Sequence, residues 1–118
     1  MQLNDISKDD VKVYAGCLPE NIVKAPFRPF SDLILEFLGD VSKALMADIE
    51  ARKYPDVISF AFWLRPANLN KKKKEIILHP FTIGRGLALH IAPSNVPVNF
   101  AFSFAFGLLS GNANLVRV

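Results

Sequence analysis

Few side chains in this sequence of 118 residues are of types that do chemistry, and most of those stand without suitable neighbours. Cys17 lies in Ala15-Gly16-Cys17-Leu18-Pro19, with no basic residue beside it and no evident helix start beneath it to lower its pKa. It therefore reads as a structural or incidental thiol, not a nucleophile. His79 and His90 share no metal-ligand spacing with it. His79 precedes Pro80 near a turn and carries no signal; His90 sits in an apolar run and reads as a hydrogen-bonded core histidine ahead of a general base. Gly84-Arg85-Gly86 is a weak fragment of a phosphate loop, for which chain geometry is the better reading. The lysine run 71–74 could hold an anion, but short charge runs are usually solvated turns. What remains is the turn Pro93-Ser94-Asn95-Val96-Pro97.

That turn belongs to the stretch on which the chain is organised. Residues 86–118 give an apolar strand, the turn, a wholly apolar segment closed by Gly111-Asn112, and a second apolar run, the outline of a βαβ unit. Strands covered on both faces are continuously apolar, and open α/β sheets bind ligands at the carboxyl ends of their strands, where 93–97 falls. Asn95 either satisfies backbone groups of the turn, as asparagine often does, or presents its carboxamide to a ligand. Residues 99–110 are ambiguous in period, because Phe100, Phe102, Phe104 and Phe106 alternate with small residues as in a strand. A helix is the expectation: Pro97 suits a first turn, Gly111 suits the position after the last, and parallel neighbours need a crossover. Winding then aligns Ser103, Gly107 and Ser110 or Gly111 as a stripe of small residues that a strand, backbone or ligand can approach closely. The apolar run at 115–118 stops within a strand pattern, an edge that is a liability in a complete soluble protein; the expectation is an N-terminal piece of a longer chain.

The elements before this unit must support it. Ser31 offers an N-cap to a helix whose face carries Leu33, Ile34, Phe37, Leu38, Val41, Leu45 and Ile49, with Glu50, Arg52 and Lys53 at its end and Tyr54-Pro55 as the stop. Residues 56–64, bounded by Pro55 and Pro66, predict a second helix; 68–75 a polar connection; 76–78 a brief strand; 82–86 a turn. The run Val11-Lys12-Val13-Tyr14 allows one early strand at most. An apolar content of 51% and this length predict one domain with a core. A charge of +3, from 14 basic and 11 acidic residues, argues only weakly for phosphate ligands and predicts no nucleic-acid partner. One cysteine excludes an internal disulfide and fits a reducing compartment; the start lacks signal-peptide features, so a cytoplasmic location is expected. Prolines, glycines and asparagines break the long uncharged stretch into pieces of roughly 6 and 14 residues, short of the ~20 of a membrane span.

From His90 to Pro97, and again from Phe106 to Arg117, the sequence closely resembles the acyl-CoA reductases of the bacterial bioluminescence fatty acid reductase type, within the aldehyde dehydrogenase superfamily. The resemblance is dense over 84–118 and softer earlier, where 56–63 also looks similar. It implies an incomplete Rossmann-like coenzyme domain of aldehyde dehydrogenase type, with 1–80 a mainly helical lead-in and 81–118 its first βαβ unit. It implies for Asn95 a carboxamide that donates to the oxyanion formed when a cysteine thiolate attacks a carbonyl, in a site shielded from water. It places Pro93 and Ser94 on the nicotinamide side of a coenzyme cleft. Arg117 stands where the superfamily has a ribose-contacting lysine, and an arginine there suits the 2′-phosphate of NADPH. Ser94 and Val96 replace aromatics common in aldehyde dehydrogenases, and the nucleophilic cysteine, glycine-rich loop and oligomerisation segment are expected beyond residue 118, so the chain alone is expected to be inactive.

The implied function is part of an NADPH-dependent enzyme that takes fatty acyl groups from acyl-CoA or an acyl-protein thioester and reduces them to aldehydes, as a homo-oligomer when complete. Two alternatives remain: a non-catalytic binding or assembly module joined through the exposed strand, and a fragment of an NADP-dependent aldehyde dehydrogenase.

Overall fold

The computed structural model describes residues 12–17, 25–76 and 78–118. Within them the chain runs α1 (Asp32–Ala47), a 3-10 turn (Ala51–Lys53), α2 (Pro55–Trp63), α3 (Pro66–Glu75), β1 (Leu87–Ile91), α4 (Asn99–Leu109) and β2 (Ala113–Arg117). β1 and β2 pair in parallel, Leu87 opposite Ala113 through Ile91 opposite Arg117. The expected βαβ unit is thus present in a mixed α/β fold; a two-stranded sheet is too small to define a Rossmann-like domain.

Four helices bury what the sheet cannot. Leu38 of α1, Phe60 of α2, Leu64, Leu69 of α3, and Val98, Ala105 and Leu109 in and before α4 form one cluster with Phe30. Leu64 and Leu69 are fully buried. α4 is the middle layer, touching both strands on one side and α1 on the other. Its Phe102 meets Phe60 edge-on at 4.8 Å and Trp63 at 5.9 Å between ring centroids, and Phe106 meets Trp63 at 5.2 Å. The alternating phenylalanines therefore form a helix because two of them, four residues apart, share a face that α2 covers.

Three local expectations are corrected. The first helix stops at Ala47, because the Asp48 carboxylate accepts from the Glu50 N–H at 2.8 Å and turns the chain out of the helix. Arg52 then folds back, its Nε donating to the Met46 carbonyl at 3.2 Å. Residues 68–75 are helix, not a connection: Pro66 starts α3, Asn68 Nδ2 donates to the Trp63 carbonyl at 2.6 Å, and Leu69 anchors it. Its lysines are good helix formers gathered where a helix end favours cations, and Lys73 reaches Asp32 at 3.1 Å. Ile76 and Leu78 form no strand, while Ile77 lies outside the described residues. Ser31 occupies the N-cap position, yet its hydroxyl makes no cap bond and is buried without a partner. Of the early run, Val11 lies outside the described residues and 12–14 are not strand.

The junction that sets the unit's geometry is made of backbone. Gly111, at φ +83°, ends α4 with paired bonds, its own N–H to the Leu108 carbonyl at 2.9 Å and the Asn112 N–H to the Gly107 carbonyl at 3.1 Å. A Cβ on Gly111 would strike the Phe27 carbonyl oxygen, and one on Gly84 the Gly111 carbonyl oxygen. Phe27 donates to the Gly111 carbonyl and accepts from Gly84 N–H, each at 2.9 Å, so three segments touch here. Gly84-Arg85-Gly86 thus serves chain geometry.

Candidate functional site

The turn 93–97 leaves β1 at its carboxyl end and enters α4 through Val98, which is buried. Pro97 stands one residue before the N-cap Val98, just outside the first turn it was expected to occupy. The Ala92 N–H donates to the Arg117 carbonyl at 3.2 Å, extending the β1–β2 ladder to the base of the turn. Pro93, Ser94 and Asn95 are therefore brought to the same end of the sheet as Arg117, which the register places opposite Ile91. That is what the parallel crossover achieves: it returns the chain so that both carboxyl ends lie side by side.

These four side chains are exposed. Neither of two surface depressions includes them: one lies between α1 and α3 beside Gly39 and Pro66, the other at the amino end of the sheet beside Gly84 and Asn112. Asn95 thus lies at the expected end of the sheet but in the open, without the shielding that the resemblance implies. Arg117 makes no ion pair among the described residues.

Between the sheet and α4 is a polar cluster that sequence reasoning saw only in part. His90 points to the α4 side of the sheet, its Nε2 2.8 Å from Asn114 Oδ1 and its Nδ1 3.3 Å from Ser103 Oγ. Asn114 Nδ2 donates to the Asn112 carbonyl at 2.8 Å. His90 is hydrogen-bonded as expected, though half-buried between sheet and helix and not in the core, and the close approach over the small-residue stripe is present: a Cβ on Gly107 would collide with Asn114 Oδ1 and lie 2.8 Å from His90 Nε2. The role of Asn114 went unread, because an asparagine in a strand pattern gives no sign of its cross-strand partner. Cys17 is exposed and free, and His79 accepts locally from the Phe81 N–H. No helix among the described residues is long and apolar enough to cross a membrane.

Among the described residues, none forms a layer over the other face of the sheet. Leu89 is 63% and Ile91 67% exposed, and together with Leu87 they make an apolar row.

A parallel crossover backed by helices, with the turn 93–97 at the carboxyl end of its strands, defines a mixed α/β fold. Among known families, acyl-CoA reductase (LuxC) matches residues 38–118, most of the chain, and the chain belongs to that family. The family's activity is that of an oxidoreductase acting on acyl-CoA. No curated protein and no solved structure matches the chain.

Proposed function

We propose that this chain supplies the oxyanion and coenzyme edge of an NADPH-dependent fatty acyl thioester reductase, in which a cysteine outside residues 1–118 takes the acyl group and hydride transfer releases the aldehyde. The observation that carries this reading is the common placement of the turn 93–97 and Arg117 at the carboxyl end of the parallel pair, within a chain of the acyl-CoA reductase family. In it, the Asn95 carboxamide donates to the oxyanion formed when the cysteine thiolate adds to the thioester carbonyl, which collapses to the acyl-enzyme as the donor thiolate leaves. Pro93 and Ser94 line the nicotinamide side, and Arg117 pairs with the 2′-phosphate. The donor set fits: an arginine offers two parallel N–H groups to a phosphate, and a neutral amide needs no proton transfer to stabilise negative oxygen. NADPH supplies the hydride when bound.

Such a donor is valuable only where water is excluded. Because Asn95 is exposed in the described residues, the reading requires a further surface over the turn in the working enzyme. The decisive test is acyl-CoA-dependent NADPH oxidation by the intact protein. An Asn95→Ala variant is expected to lose about 10²- to 10³-fold in kcat. Equal activity in the two proteins would exclude the oxyanion role.

The apolar face that the described residues leave exposed favours one second reading, assembly through the sheet. Oxidation of aldehydes with NADP, the third possibility, uses the same placement; no observation of this chain favours it.

A further inference from the structure

The cluster between the sheet and α4 has a defined direction. The Asn112 carbonyl can only accept, so the atom of Asn114 facing it is the amide nitrogen, and Asn114 turns its oxygen toward His90. That oxygen also only accepts, so His90 carries its proton on Nε2. In the tautomer that carries its one proton on Nε2, Nδ1 holds a lone pair that takes the hydrogen of the Ser103 hydroxyl. One imidazole thereby joins β1 to β2 and to α4, and Gly107 leaves the gap it fills.

We propose that His90 is the positioning residue of the site: its two oriented bonds lock the three elements that converge on the turn 93–97 and Arg117. This rests on the site reading given above. The location supports it. His90 is two residues before Ala92, whose N–H bonds the Arg117 carbonyl; Asn114 is three residues before Arg117; Ser103 lies one turn into the helix that the site turn begins. Side chains held only by apolar packing could slide or rotate, whereas two bonds of fixed polarity admit one arrangement. Misplacement of a catalytic group by about 1 Å can cost about a hundredfold in rate.

The test uses the intact protein with nitrogen-labelled histidine. Imidazole nitrogen resonances are expected to show a proton on Nε2; a ring protonated at Nδ1 alone would overturn the arrangement. His90→Phe is expected to lower kcat with acyl-CoA at least about tenfold, measured well below its melting temperature, with a smaller change in KM. His90→Gln, which keeps one amide donor for Asn114, is expected to recover part of that loss. Unchanged kcat in His90→Phe would refute positioning even if the variant melted earlier. Should that variant not fold, Ser103→Ala removes one bond alone, and a kcat equal to the parent's would refute it in turn. Hydrogen exchange at the Ala92 amide gives a readout without activity: it is expected to be at least about tenfold faster in His90→Phe, and equal exchange refutes the proposal. A parent that never reduces acyl-CoA would sink the site reading, while the exchange and tautomer results still judge the role of His90.

Discussion

Arg117 and Asn95 make different demands on their surroundings. A guanidinium pairing with phosphate works at a wet rim, because both partners are charged and the bonds are short and paired. Loss of such a contact removes about 1.5–3 kcal/mol, so Arg117→Ala is expected to raise KM for NADPH roughly 10- to 100-fold while leaving kcat and KM for NADH nearly unchanged. Steady-state kinetics with the two coenzymes checks this; equal losses with both would remove the 2′-phosphate from the account. Asn95 needs the reverse, a dry setting, and its exposure is the strongest physical demand the proposed function makes on what lies above the turn. The type and spacing of Asn95 were readable in advance. Its degree of exposure was not, since burial depends on atoms far along the chain.

Among the elements, the glycines at the α4–β2 junction carry the most consequence. Gly111 combines a left-handed φ of +83° with contact against the Phe27 carbonyl, so any side chain there meets both backbone strain and a collision. Gly111→Ala is expected to destabilise by more than about 1 kcal/mol, read as a fall of at least about 4–8 °C in Tm. A variant that melts with the parent would show the junction to be dispensable. The sequence pattern found α2, α4 and both strands because prolines and glycines mark their ends and the apolar runs have the right lengths. It missed α3 because this helix contributes Leu69 as its buried anchor among polar residues, so no apolar face announces it. It overran α1 because Ile49 continues the spacing, yet the Asp48 side chain had already captured the backbone, and Ile49 is 74% exposed.

At the scale of the whole molecule, the described residues cover the sheet on one side only. α4 and the helices behind it bury the His90 face of the sheet, whereas the face bearing Leu87, Leu89 and Ile91 has no layer over it among the described residues. Parallel sheets ordinarily have both faces covered. A row of large aliphatic side chains left in water favours association, since each buried apolar square ångström contributes about 25 cal/mol. The 118-residue chain is therefore expected to show a concentration-dependent mass by light scattering, and Leu89→Lys is expected to shift it toward monomer. A wild-type chain that stays monomeric at every concentration would exclude the assembly reading. Leu89 is exposed enough that its replacement should leave the fold intact, which keeps the comparison clean.

Local rules were sufficient for the crossover, because strand, turn, helix and strand are each bounded by residues whose backbone preferences are intrinsic. They were also sufficient to place the turn 93–97 and Arg117 together, since a parallel connection returns both strands to the same end. Burial, by contrast, arises between segments distant in sequence. The union of His90 with Ser103 and Asn114, the contact of Phe27 with Gly84 and Gly111, and the open states of Asn95 and of the Leu89 face were fixed only when those segments met.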